Sequence, residues 1–129
     1  MSEYGFSVEV SEGYDEAVVR TRLALRGEGF SIITEAHVGG MLAEEAGEER
    51  QYLIMGAYDT AASSRDVDAN LQVAVHLPCN VVVQESGSSA FVAALDPQDS
   101  ADKSDPSQWE SAAEARAALH RVLEKVASP

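Results

Sequence analysis

Two kinds of periodicity run along this sequence, and together they predict strands separated by helices. Alternating apolar and polar residues, or short apolar runs, predict strands at 5–10, 30–38, 51–58, 80–85 and 89–95. Apolar or small residues recur at helical spacing from Tyr14 until Gly27 and Gly29 end the helix. A second helical stripe covers 106–127, where Pro106 suits the first helical position. The main elements therefore follow the order strand, helix, four strands, helix.

The connections between the strands indicate how they pair. The Ser-Gly-Ser sequence at 86–88 predicts a hairpin turn, and the polar stretch at 96–106 predicts a surface loop. Shorter elements are expected at 41–46 (helix), 61–71 (helix) and 73–77 (strand). We predict a single α+β domain spanning 1–129, with two layers, a mostly antiparallel sheet and both long helices on one face.

Several of the predicted strands are apolar on both sides, notably 52–58, 81–83 and 91–95. An antiparallel sheet with one solvated face alternates apolar and polar residues instead, and two helices cover only one face. The second face is therefore expected to meet a second copy of the chain in a homodimer. The alternatives are a ligand, or the segments 41–47 and 61–71 folding over that face.

The charge balance excludes some classes of partner. Lys and Arg number 9 against 22 Asp and Glu, which gives a net charge of −13. Such a surface argues against binding nucleic acid or anionic membranes, because both contacts depend on Lys and Arg. No apolar run approaches the roughly 20 residues of a membrane span. The single cysteine, Cys79, excludes an internal disulfide and fits a reducing compartment, so we expect a cytoplasmic protein.

Few residues carry recognisable chemistry. Cys79 is either a reactive thiol or a small hydrophobic residue that leads into a core strand. The three histidines, His37, His76 and His120, lack the spacing of metal ligands, so no metal is expected. Neither a phosphate-binding glycine loop nor a hydrolase nucleophile motif occurs, and no cofactor is expected.

Glu35 is the most informative acidic residue. Strict alternation places it on the side of its strand opposite to Phe30 and Ile32. If the second face of the sheet is covered, Glu35 is a carboxylate near an apolar interface, and such groups are often functional or paired. If it is not covered, Glu35 occupies an edge position in water.

Four short motifs make the chain similar to a known family. They are GF and ITE within 29–35, LIMGA at 53–57, LPCNVVV at 77–83 and AALDP at 93–97. With these motifs, of which LPCNV is the most specific, the chain resembles the bacterial and archaeal domain of unknown function family DUF302 over roughly residues 4–97. The resemblance implies a strand–helix–four-strand–helix fold like that of the TATA-box-binding protein, and a tendency to form dimers.

The resemblance supplies positions rather than a reaction, because the family has no established activity. The polar residues that match its motifs are Glu35, Cys79, Asn80 and Asp96. Family members often carry a second cysteine after the middle strand, where this chain has Tyr58. Chemistry that needs two cysteines is therefore in doubt for this protein.

These observations leave three hypotheses about function, and whether the protein is an enzyme stays open. The first is a non-enzymatic homodimer that binds a small molecule in a cleft near Glu35, Cys79, Asn80 and Asp96, since polar residues among apolar strands are typical of ligand pockets. The second is a thiol-dependent enzyme or redox sensor that uses Cys79. The third is a module that serves dimerisation alone.

Overall fold

A computed structural model describes residues 5–38, 51–59, 79–99 and 103–128. The short elements expected at 41–46, 61–71 and 73–77 lie outside these residues. The described chain forms β1 (Gly5–Val10), α1 (Tyr14–Gly27), β2 (Phe30–His37), β3 (Tyr52–Asp59), β4 (Cys79–Ser86), β5 (Ser89–Leu95), a short 3-10 helix (Pro97–Asp99) and α2 (Pro106–Ala127).

The five strands form one open sheet in the order β1-β5-β4-β3-β2. Every neighbouring pair is antiparallel. A two-residue turn, Gly87 and Ser88, joins β4 to β5 as the Ser-Gly-Ser sequence predicts. The structure thus confirms the predicted α+β fold class, the antiparallel sheet and the order of the main elements. None of the helices in the described parts of the chain is long and apolar enough to cross a membrane.

The core lies between one face of the sheet and the two helices, and we call this face the helix-facing side. Alternate strand residues point into it, and the fully buried ones include Leu53, Met55, Val81, Val83 and Val92. Helix residues at three- and four-residue spacing meet them: Leu25, Leu119, Val122 and Val126. Thr21 is the one buried polar residue identified within the described chain, and its hydroxyl donates to the carbonyl of Ala17 at 2.6 Å.

The opposite side of the sheet, which we call the open face, carries the other half of each strand. Phe91 and Leu95 of β5 are 38% and 48% exposed there. Ile54 and Val82 lie opposite each other in the middle of this face and are half-buried. The described helices pack on the other side, so these apolar side chains lie on the face that the described helices leave free.

A β-bulge in β2 turns Glu35 to the side of the sheet opposite to the one predicted. Ile32 pairs with Ala57 and Thr34 pairs with Gly56, so Ile33 is an extra residue in the strand. After the bulge Glu35 pairs with Met55, which lies in the core. Residues that face each other across antiparallel strands share a side. Glu35 therefore lies on the same side as Ile32, and its predicted position on the opposite side is wrong.

Candidate functional site

Glu35 is bound to a cation on α1. Its Oε1 accepts hydrogen bonds from Nη2 of Arg22 at 2.6 Å and from Nε at 3.1 Å. The two side chains are about one-third exposed, at 31% for Glu35 and 35% for Arg22. Arg22 lies on the side of α1 that crosses β2, so this pair fastens the helix to the edge of the sheet. The carboxylate is therefore paired with a cation and one-third exposed, and it does not lie on the open face.

Asp96 has two partners directly after the end of β5. Oδ2 accepts from Nε of Arg116 on α2 at 2.9 Å, and Oδ1 accepts from the backbone N–H of Gln98 at 3.0 Å. The second bond caps the start of the short 3-10 helix. The Asp96 side chain is 19% exposed, whereas Arg116 is 37% exposed. Asp96 therefore holds the Arg116 guanidinium at this end of the sheet.

Cys79 and Asn80 begin β4. The backbone of Cys79 pairs with Ala57, and Asn80 pairs with Gly56. Asn80 is exposed. Its register position belongs to the open face, because its neighbour Val81 lies in the core and successive residues of a strand alternate between faces. Gly56, the partner of Asn80 on β3, has no side chain and is itself buried.

The topology brings three of the four predicted site residues to one end of the sheet. Because β4 and β5 are antiparallel, the start of β4 and the end of β5 lie at the same end, which places Cys79, Asn80 and Asp96 near one another. Arg116 joins them through its bond to Asp96. We call these four residues the Cys79 end. Glu35 lies apart from them, since β3 separates β2 from β4.

Arg116 is the residue of this site that the sequence analysis missed. It lies four residues after Ala112 and three before Leu119, both of which are buried on α2. A cation on the inner side of an apolar helical stripe calls for an acidic partner. The position of Arg116 between two buried helix residues was the sequence feature that could have identified it. A guanidinium recognises carboxylate or phosphate groups, and a carboxamide both donates and accepts hydrogen bonds. The Cys79 end therefore presents a guanidinium on the side of α2 and a carboxamide on the open face.

Two shallow grooves lie among the described residues, and none of the four predicted site residues lines either one. The groove between α1 and α2 measures about 320 Å³ and is lined by Arg20, Leu23, Ala24, Lys125 and Ser128. The groove between β1 and α2 measures about 240 Å³ and is lined by Phe6, Ser7, Val8, His120, Leu123 and Glu124. Within the described ranges no three His, Cys, Asp or Glu side chains come together in a way that could hold a metal ion.

Comparisons with known proteins add a family but no reaction. No curated protein matches this sequence. A crystal structure of an uncharacterized conserved DUF302 protein from Bacillus stearothermophilus superposes with a TM-score of 0.78 at 25% identity, covering 96% of this chain and 98% of that one. The family described as domain of unknown function DUF302 matches residues 6–126, a span that includes most of α2 as well as the motifs at 29–97. The chain therefore belongs to the DUF302 family, as its motifs indicated.

Proposed function

We propose that this protein is a cytoplasmic homodimer in which each protomer is a single domain of residues 1–129. The dimer binds a small molecule at the Cys79 end without catalysing a reaction. The observation that supports the proposal most is the open face, where apolar side chains lie on the side of the sheet that the described helices leave free. The Cys79 end lies at the rim of this face, since Asn80 belongs to both.

The dimer is supported by the composition of the open face. Phe91 and Leu95 are exposed on β5, and Ile54 and Val82 lie between them and β2. Apolar patches of this kind mark interaction sites more often than free surface. A twofold axis through the face brings the same residues of two protomers together, which is the commonest symmetry of soluble oligomers.

Light scattering coupled to gel filtration tests the dimer. At micromolar concentration we expect a species of twice the 13.7 kDa chain mass. Phe91→Asp places a charge in the proposed interface and should give the monomer. Val19→Asp is the matched control, because Val19 is 50% exposed on α1, away from the open face. A wild-type protein that stays at 13.7 kDa, or two variants that behave alike, contradicts the proposed dimer.

The proposed ligand site combines groups of different polarity. A ligand that reaches round this end of the sheet would meet two groups: the Arg116 guanidinium, oriented by Asp96 on the α2 side, would bind its anionic group, and the Asn80 carboxamide on the open face would bind a neutral polar group. Glu35 of β2, bound to Arg22 of α1, is proposed to support α1 and not to contact the ligand.

A thermal-shift screen with a panel of small carboxylates and phosphates tests the ligand site. A compound that binds the folded state raises Tm by mass action. We expect a shift for the wild-type protein and its loss in Asn80→Ala. Gln51→Ala is the control, since Gln51 is an exposed carboxamide beside β3 at the opposite end of the sheet. If no compound of the panel shifts Tm, or if Asn80→Ala responds like the wild type, the site assignment fails.

A thiol-dependent enzyme or redox sensor is the alternative, and the position of Arg116 favours it. Cations near a cysteine stabilise the thiolate, which is the reactive form, and Arg116 is held at the sheet end where β4 begins with Cys79. Iodoacetamide labelling of the native protein at neutral pH, followed by mass spectrometry, tests this reading. The alternative requires rapid labelling that slows in Arg116→Leu but not in Arg26→Leu, whose side chain is exposed on α1. Labelling that begins only after denaturation excludes it.

A further inference from the structure

The two edges of the sheet differ in how they are protected. Exposed edge strands invite pairing with other chains, and proteins usually block them with bulges, charges or covering elements. Among the described strands, β2 and β1 lie at the edges. β2 carries the bulge at Ile33 and the Arg22–Glu35 ion pair. β1 is a regular strand that pairs with β5 at all six positions, with no bulge and neither lysine nor proline.

A groove runs along the edge of β1, with which no described strand pairs. It measures about 240 Å³ and lies between β1 and α2, with Phe6, Val8 and Leu123 as its apolar residues. The His120 ring stacks on Phe6 with 3.9 Å between ring centroids and an angle of 12° between the rings. Side chains of a strand added next to β1 would point alternately into this groove and toward the open face. The edge of β1 therefore offers backbone hydrogen-bonding groups to an added strand, and the adjacent groove can accept its apolar side chains.

The charges around the edge define the chemistry of an added strand. Glu124 borders the groove, and Glu9 is exposed on the open-face side of β1. The cations that flank Glu124 on α2, Arg121 and Lys125, both bind Glu28 of the α1 terminus. Residues opposite each other on neighbouring strands share a side, and opposite charges stabilise such pairs. An added strand thus favours apolar residues toward the groove and basic residues toward Ser7 and Glu9.

We infer that the edge of β1, unpaired among the described strands, binds an extended segment of a partner protein in which apolar and basic residues alternate, by adding it as a sixth strand to the sheet. Main-chain hydrogen bonds would supply the affinity and the groove would select the apolar side chains, as in other cases of strand addition. The acidic surface of this chain disfavours its own strands as the occupant, because its net charge is −13. The inference concerns the backbone edge of β1, whereas the proposed dimer uses side chains of the open face; Glu9, opposite Phe91, lies at the boundary between the two surfaces.

Fluorescence anisotropy with a labelled peptide tests the inference. The probe is an acetylated, amidated hexapeptide that alternates lysine and valine. Two control peptides separate the contributions: one replaces lysine by glutamate, and one keeps the side chains but has N-methylated backbone amides that cannot pair with β1. We expect each control to bind at least about tenfold more weakly than the probe, since opposite charges steer the encounter and the backbone bonds hold the complex.

Variants of the protein locate the site. Glu9→Lys and Glu124→Lys should each weaken probe binding by about fivefold, as expected for a charge at the rim of an interface. Glu110→Lys is the control, because Glu110 is exposed near the start of α2, away from the groove. In NMR spectra, the probe should shift the amide signals of residues 6–10 and 120–124.

Each contrary result overturns the inference. Equal binding of the N-methylated peptide would show attraction to an acidic surface without strand addition. Equal effects of Glu9→Lys and Glu110→Lys would place the peptide elsewhere, as would amide shifts confined to β2 or the open face. If the probe converts dimers into monomers, the edge of β1 joins two copies of this chain and the partner assignment is wrong.

Discussion

At the scale of single residues, Glu28 connects the end of α1 to α2. Its carboxylate accepts hydrogen bonds from Nζ of Lys125 at 2.5 Å and from Nε of Arg121 at 2.7 Å, and its side chain is only 13% exposed. The bond from Lys125, followed by that from Arg121, lowers the pKa of Glu28 from its usual value of 4.5. The folded state therefore binds a proton at Glu28 less readily than the unfolded state does.

The lowered pKa of Glu28 predicts a component of stability that acid removes. A carboxylate with a depressed pKa stabilises the fold above the unfolded-state value, and this contribution disappears as the pH falls from 4.5 through the lower folded-state value. Urea unfolding at a series of pH values should show a shallower acid dependence for Glu28→Gln than for the wild type. Glu110→Gln, an exposed acid of α2, is the control and should follow the wild type. Parallel curves for Glu28→Gln and the wild type would contradict the prediction.

Gly87 is needed at the β4–β5 turn for its backbone conformation alone. Its φ is +58°, and a Cβ added there would meet no atom within 4 Å. Gly87→Ala should therefore destabilise the protein by about 1 kcal/mol through backbone strain and not through a clash. Gly27→Ala is the matched control, since Gly27 ends α1 with no positive φ and its added Cβ would meet Lys125 at an ordinary 3.8 Å. Urea denaturation distinguishes the two, and equal losses would refute the role of φ.

At the scale of secondary-structure elements, the bulge in β2 decides which residues face the helices. Ile33 is 50% exposed and is the extra residue opposite Gly56. Its deletion leaves Ile32, Thr34 and Glu35 alternating in the same sense as before. We expect a folded protein that keeps the Arg22–Glu35 contact, with a loss of stability on the order of 1 kcal/mol.

Deletion of Ile54 from β3 is the matched control for the bulge. β3 is regular, so removing one residue moves Tyr52 and Leu53 to the wrong faces of the sheet. Circular dichroism and urea unfolding should show a near-native protein without Ile33 and a largely unfolded one without Ile54. If loss of Ile33 is as disruptive as loss of Ile54, the extra residue is not a bulge.

The elements that the sequence predicted correctly are those encoded by local spacing. The stripe of buried residues on α1, from Ala17 to Leu25, and the Ser-Gly-Ser turn are visible without knowledge of the partners they meet. The bulge was missed because Ile32 and Ile33 fit either alternation of an apolar strand. Its one trace is the adjacent isoleucine pair, which interrupts an otherwise alternating strand.

The candidate site was predicted less well, because its contacts join distant parts of the chain. Arg22 and Glu35 are brought together when α1 packs across β2, and Asp96 meets Arg116 only after α2 crosses the sheet. Motifs identified Asp96, Cys79 and Asn80 as positions worth examining. They could not show that β3 lies between the strand of Glu35 and β4, because strand order is a property of the folded sheet.

At the scale of the whole molecule, charge and the open face act in opposite directions on association. Each protomer carries a net charge of −13, so two protomers repel each other at separations up to about the Debye screening length. That distance shrinks from about 30 Å at 0.01 M salt to about 8 Å at 0.15 M. The proposed contact through Phe91 and Leu95 is apolar, and salt does not weaken burial of such side chains.

The proposed dimer should therefore tighten as salt is added. Sedimentation equilibrium at low and moderate NaCl concentrations should show Kd falling by about tenfold or more as repulsion between the protomers is screened. Phe91→Asp should remain monomeric at both concentrations, because screening does not restore the lost apolar contact. An association that weakens with salt would mean that ion pairs hold the protomers together. The contact would then lie on a charged surface of the molecule, and the open face would be excluded as the interface.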